Sequence, residues 1–224
     1  VLYQDSERLV FMSQHQLLNT FPEFHNFKIS KVFNRPIRSS MHRNDLIAGY
    51  KYRNNPVIAD LVSQVSQDSL EFYITELQGM DRYTTNASAI NSSNFLLEYF
   101  EHLDFDQVYF QEYTSGWIPN VVAIKTGETL EDEIYVTGGH YDVYADGAPG
   151  ADDNGSGSAV VMEAARVLSQ VNFKRTLVFV LFSGEELGLH GSEAYAQNAA
   201  DNEENILGMI NMDMMGYVAP GDAI

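Results

Sequence analysis

The amino-acid sequence predicts a three-layer α/β sandwich around a mixed, mostly parallel central sheet, and three observations carry that expectation. Its segments follow the order helix, strands, helix, buried strand, helix, strand, an alternation typical of α/β proteins. The run Arg175–Phe182 is apolar from Leu177 onwards, as expected of a strand covered on both faces. With 45% hydrophobic and 12% aromatic residues among 224, the chain has the material for a packed core and is not of the disordered class.

Taken in order, the first 57 residues stand apart. Val1–Val57 holds eight of the 13 Lys and Arg and four of the 31 Asp and Glu, a net charge of +4, whereas Ile58–Ile224 carries −22. The shift falls beside the polar stretch Tyr52-Arg53-Asn54-Asn55-Pro56, so a boundary is expected near residue 57. Phe27–Phe33 is rich in β-formers and Leu9–Met12 is a short apolar run. A small β-rich unit over residues 1–57, acting as a prosegment or an accessory module, is the expectation. In the second unit, 58–224, Leu70, Ile74 and Leu77 recur at helical spacing after the cap residue Ser66, and Ala89, Ser93, Leu96, Phe100 and Leu103 line another helical face. Val108–Tyr113, Asn120–Ile124 and Glu133–Thr137 read as strands with turn-prone residues between them. A helix over Ser158–Gln170, the buried strand, and a last strand around Leu207–Ile210 complete the order.

The formal charge of −18 repels phosphate backbones and anionic headgroups, so neither nucleic acid nor a membrane surface is an expected partner. No apolar run approaches the roughly 18–20 residues of a membrane span. The chain begins with Val and is expected to be processed or excerpted. Without cysteine, disulfides, thiolate metal ligands and thiol nucleophiles are excluded, and any metal falls to His, Asp and Glu.

Four segments just beyond strand ends carry such residues, where α/β sheets gather their active groups. They are Gly138-Gly139-His140-Tyr141-Asp142, Gly150-Ala151-Asp152-Asp153-Asn154-Gly155-Ser156-Gly157, Ser183-Gly184-Glu185-Glu186-Leu187-Gly188 and Asn211-Met212-Asp213. Each alone has a plain structural reading: a lone histidine at a strand end, an Asp-Asp-Asn-Gly turn, a solvated Glu-Glu helix start. Gly155-Ser156-Gly157 does not make a dinucleotide loop, since a third glycine near Val160 is missing and two aspartates stand beside the anion site. Together the four suit a metal such as zinc bound without thiolates.

These residues, with Pro149 before the second segment and Gly191-Ser192 after the third, resemble the motifs of the co-catalytic zinc aminopeptidases. That family includes secreted bacterial and fungal leucyl aminopeptidases, with glutamate carboxypeptidase and glutaminyl cyclase as relatives. The resemblance covers about Ile58 to Tyr217. It implies the zinc exopeptidase fold and two zinc ions in the complete enzyme: His140 and Asp213 on one, Glu186 on the other, and Asp153 bridging both. Asp142 would orient His140. Glu185 would be the general base that takes a proton from zinc-bound water and passes it to the leaving amine. A cis Asp153–Asn154 peptide and a secreted or periplasmic location are further implications.

The family takes one more histidine from a loop far downstream of the Asp213 motif, and the chain stops at Ile224. His190 stands where the family uses no ligand, and His15, His25, His42 and His102 lie outside the motif loops. The expectation is a fold that lacks its last strands, with one zinc held tightly and weak or absent activity. The leading function is an aminopeptidase acting on peptides with a free N-terminus. The carboxylate-rich loops suit an ammonium group, and the cations after residue 57 (Arg82, Lys125, Arg166, Lys174, Arg175) lie outside the motif loops. A glutaminyl cyclase-like acyltransferase with a single zinc and a non-catalytic binding protein are the alternatives. Side-chain preference and oligomeric state are not readable from the sequence.

Overall fold

A computed structural model describes residues 55–217 and, ahead of them, the backbone of two short strands. The chain divides into two compact units, Val1–Tyr50 and Lys51–Ile224. In the first, β1 (Tyr3–Gln4) pairs antiparallel with β2 (Leu9–Val10); the β-rich segment expected at Phe27–Phe33 lies outside the described residues.

The second unit opens with a helix at the expected boundary near residue 57, where the sequence predicts no element: α1 (Pro56–Ser63). Its cause is local. The Asn55 side chain accepts a hydrogen bond from the Val57 backbone N–H, and Pro56 occupies the first turn, a strong start signal. None of its residues is buried. The next helix, α2 (Gln67–Gln78), starts where expected, with Ser66 Oγ accepting from Ser69 N–H at 3.2 Å. Ala89 belongs to a short 3₁₀ turn that leads into α3 (Ile90–Glu101).

The strands are β3 (Gln107–Gln111), β4 (Asn120–Lys125), β5 (Leu130–His140), β6 (Arg175–Phe182) and β7 (Asn205–Asn211). They form one sheet in the order β3-β4-β6-β5-β7. Its outer part on one side is antiparallel, β3 with β4 and β4 with β6. Both neighbours of β5 run parallel to it. The sheet is mixed, as expected, and parallel where the crossover helices α4 (Gly157–Leu168) and α5 (His190–Asp201) connect its strands.

Alternation along the central strands builds a core on each face. Val121 and Ala123 of β4 with Phe179 and Leu181 of β6 face one side, where they meet Leu77 of α2, Leu96 and Phe100 of α3, and Val161 and Met162 of α4. Val122, Val178, Val180 and Phe182 face the other, against Tyr195 of α5. This is the expected three-layer sandwich. The parallel strands β5, β6 and β7 end at one edge, and β4, running the other way, begins there.

Among the helices one polar tie stands out. Glu163 in α4 is buried and accepts from Ser66 N–H at 2.6 Å and from Arg166 Nε and Nη2 at 2.8 and 2.6 Å. Burial alone would raise its pKa; the bonds from Arg166 and Ser66 outweigh it and hold the carboxyl below its ordinary value. A carboxyl depressed on folding adds stability above its unfolded pKa, and that stability is lost as pH falls through the folded value. Glu163→Gln is therefore expected to lower unfolding free energy at pH 7 by about 1–2 kcal/mol. The gap to the parent should shrink in urea titrations carried below about pH 4.

Candidate metal centre

His140 is the last residue of β5, and its carbonyl receives Ser158 Oγ at 2.8 Å. The buried ring has two distinct sides. Nδ1 faces Asp142 Oδ1 at 3.4 Å, short of a formed hydrogen bond. Nε2 faces a group of carboxylates: Asp153 Oδ1 at 3.2 Å, Glu185 Oε2 at 3.9 Å and Asp213 Oδ1 at 3.9 Å. Ligand atoms of His140, Asp153 and Glu186 all lie within 4.8 Å of one another. Asp213 stands at the rim of that set, with 46% of its side chain exposed.

The three loops that deliver these groups are tied to each other through backbone atoms. Asp142 is fully buried and receives Thr84 Oγ1 at 2.9 Å, Glu185 N–H at 3.2 Å and Glu186 N–H at 3.3 Å. It joins the end of β5 to the loop after β6. Asn154 joins the Asp153 segment to the loop after β7: Nδ2 donates to the Met212 carbonyl at 2.9 Å, while Oδ1 accepts from Gly157 and Met214 N–H at 2.9 and 3.2 Å. Only glycine fits at 157, because a Cβ there would stand 2.2 Å from Asn154 Oδ1 and 2.5 Å from the Met212 carbonyl. Asp152 Oδ1 accepts from Gly216 N–H at 2.8 Å and from Ser156 Oγ at 2.9 Å. The Asp153–Asn154 peptide is cis.

Arg82 is the residue that sequence reading passed over. It lies far from every motif loop in the chain, yet its fully buried guanidinium donates to the carbonyls of Tyr141, Pro149 and Gly150 at 2.7, 2.6 and 2.8 Å. These bonds fix the segment between His140 and Asp153. Burial depresses its pKa to about 10, against the pull of Asp142 and Asp153, so it remains charged at neutral pH. A spacing rule could not find it; the one available signal was its scarcity, as one of five cations after residue 57.

The donor set fits a cation. Burial and the charge of Asp153 push Glu186 up to about 7, and its buried Oε1 has no hydrogen-bond partner. Burial with Asp153 and Asp152 nearby likewise raises Asp213, though His140 opposes it. Burial would lower His140, but Asp142, Glu185 and Asp213 outweigh that and hold it up at about 9. A dication relieves the crowding of carboxylates and needs the neutral imidazole, and imidazole plus carboxylates without thiolate is a zinc-competent set. His190, in contrast, sits at the start of α5 with its ring edge-on to Trp117, centroids 5.2 Å apart, and is not in the cluster.

Fold and site together define an α/β sandwich with a thiolate-free metal centre at the carboxyl ends of its parallel strands. Residues 120–224 match the family described as Peptidase family M28. A protein of Phaeosphaeria nodorum, described as a probable zinc metalloprotease, is 34% identical over 198 residues, 70% of this chain and 40% of its own length. The crystal structure of the Legionella pneumophila LapA aminopeptidase superposes with a TM-score of 0.64 and 27% identity, over 70% of this chain and 45% of that one. A Porphyromonas gingivalis glutaminyl cyclase, 22% identical with a TM-score of 0.57 over 68% of this chain and 60% of its own, shares the fold. The resemblance read from sequence stands as a match: residues 120–224 match peptidase family M28, and zinc is the metal that the His140, Asp153 and Glu186 cluster suits. The chain spans under half the length of the first two of these proteins.

Asp142 tests how the centre is held. Outer partners of metal ligands are commonly worth about 10–100-fold in metal affinity. Asp142→Asn is expected to weaken zinc binding by that factor, read by competition with a chromogenic chelator, while far-UV circular dichroism stays that of the parent.

Proposed function

We propose that the chain is the metal-binding part of a zinc aminopeptidase, which hydrolyses the first peptide bond of peptides with a free N-terminus. The observation that carries this reading is the convergence of His140, Asp153 and Glu186 at the strand ends, with Glu185 Oε2 bordering the same His140 nitrogen at 3.9 Å. His140, Asp153, Glu186 and Asp213 would hold zinc, which when bound supplies a Lewis acid that makes water nucleophilic near neutral pH. The rest falls to the chain. Asp142 keeps the His140 ring turned so that Nε2 meets the carboxylates. Glu185, its backbone N–H fixed by Asp142, accepts a proton from the attacking water as the new C–O bond forms, and returns it to the departing amine as the C–N bond breaks.

Recognition of an amine rather than a carboxylate is supported by where the cations are spent. Arg82 is committed to three carbonyls, Lys125 to Asp104 at 2.7 Å, Arg166 to Glu163 and Arg175 to Glu133. None of these four offers a substrate carboxylate a partner. The cyclase alternative rests on likeness of fold alone, and the unbroken Asp152-Asp153-Asn154 segment, whose Asp153 would serve two metal ions, favours the peptidase.

Zinc-loaded protein is expected to release arylamine from aminoacyl p-nitroanilides and to leave their N-acetyl counterparts intact. Equal cleavage of blocked substrates, or ammonia release from N-terminal glutaminyl peptides, would overturn the reading. Glu185→Gln should keep the parent's zinc content by elemental analysis and lose about 10²–10⁴-fold in turnover.

A further inference from the structure

At the metal-bearing edge of the sheet, where β6 ends and the antiparallel β4 begins, their ladder stops at the pair Val121 and Leu181. One residue beyond stands Asn120, fully buried. Its side chain continues the pairing that the backbone ends. Oδ1 accepts from Ser183 N–H at 3.0 Å, and Nδ2 donates to the Gly191 carbonyl at 2.8 Å and to Gln111 Oε1 at 2.9 Å. Ser183 and Gly191 are the two ends of the loop that carries Glu185 and Glu186.

Inside that loop the backbone closes on itself. Gly191 N–H donates to the Ser183 carbonyl and His190 N–H to that of Gly184, both at 3.0 Å, while the Glu185 carbonyl receives Gly188 and Leu189 N–H at 2.8 and 2.9 Å. Asp142 takes the N–H groups of Glu185 and Glu186 from the other side. Gly191 is required for the closure: a Cβ would come within 2.1 Å of the Ser183 carbonyl and 2.3 Å of Asn120 Oδ1.

We propose that Asn120 is a positioning residue for the Glu185–Glu186 pair. By clamping both ends of their loop it sets where the proton-accepting carboxylate and the metal-holding carboxylate stand relative to His140. The chemistry of the clamp selects the residue. Ser183 presents a donor and Gly191 an acceptor, so the bridging group must be at once acceptor and donor on a short, planar frame, which is a primary amide. Aspartate answers only the Ser183 half, and an apolar residue answers neither. Because the clamp acts on carboxylates whose placement matters to within about 1 Å, its loss falls on turnover and on metal affinity rather than on substrate binding. The part concerning Glu185 rests on the proposed peptidase reading; the part concerning Glu186 rests on the metal centre alone.

The test compares Asn120→Ala and Asn120→Asp with the parent in three measurements: zinc affinity by chelator competition, kcat and KM on an aminoacyl p-nitroanilide, and thermal unfolding of the zinc-free chain. Asn120→Ala is expected to lower kcat about a hundredfold with KM within about threefold, and to weaken zinc about 10–100-fold. Asn120→Asp, which keeps the acceptor for Ser183, should retain more of both. A folded Asn120→Ala protein with kcat and zinc affinity within about threefold of the parent overturns the proposal, even where its melting temperature has dropped, since that pattern belongs to a merely structural residue. Should Asn120→Ala not fold, Gln111→Leu, which removes only the group that orients the amide, is expected to show the same losses in smaller measure. Parent-like values there overturn the proposal. If the parent itself cleaves no aminoacyl substrate, zinc affinity alone still decides whether Asn120 places Glu186.

Discussion

A single buried carboxylate, that of Asp142, ties the working ends of two strands together. It receives a hydroxyl from Thr84 and two backbone N–H groups from Glu185 and Glu186, and it faces Nδ1 of His140. A carboxylate with no exposure to water costs several kcal/mol unless its lone pairs are filled. Here they are filled by donors from distant parts of the chain. The cost is therefore offset only when β5, the loop after β6 and the Thr84 segment are all in place, so the centre is assembled as a unit rather than piece by piece.

The same logic recurs around it. Arg82, Asn154 and Asp152 each hold backbone groups of a loop that another residue uses for its side chain. Fixing backbone brings the side chains of His140, Asp153 and Glu186 into one space, with Asp213 at its rim. A rigid frame of outer partners is what keeps these competing groups poised beside one another.

Much of this was legible in the sequence, for reasons that differ from one element to the next. The strand Arg175–Phe182 was found to the residue because burial on both faces removes polar residues from it. β5 runs on from the expected Thr137 to His140, since Gly138 and Gly139 weaken a β signal while the ladder with β6 carries them. The helix at Pro56 is signalled by its Asn-Pro cap; none of its eight residues is buried, so no core-facing stripe marks it. Motif residues declared the centre, yet Arg82, Asn120 and Asn154 did not declare their roles. What they do depends on carbonyls and N–H groups of residues 58 to 71 positions away in all three cases, and a backbone group carries no letter in a sequence.

Frame and charge are set by different means in this centre. The frame is settled by neutral or buried partners: Asn120 and Asn154 amides, Thr84 and Ser158 hydroxyls, and the Arg82 guanidinium spent on carbonyls. The charge is not. Burial and mutual repulsion push the carboxyls of Glu186 and Asp213 upward, and four of the five cations after residue 57 are committed to other partners: Arg82 to carbonyls, Lys125, Arg166 and Arg175 to carboxylates outside the site. Geometry is thus imposed by the scaffold, while electrostatic balance is left to whatever cation enters. The two suit a metal centre together: hydrogen bonds that place the loops, and carboxylates whose repulsion gives a dication its affinity.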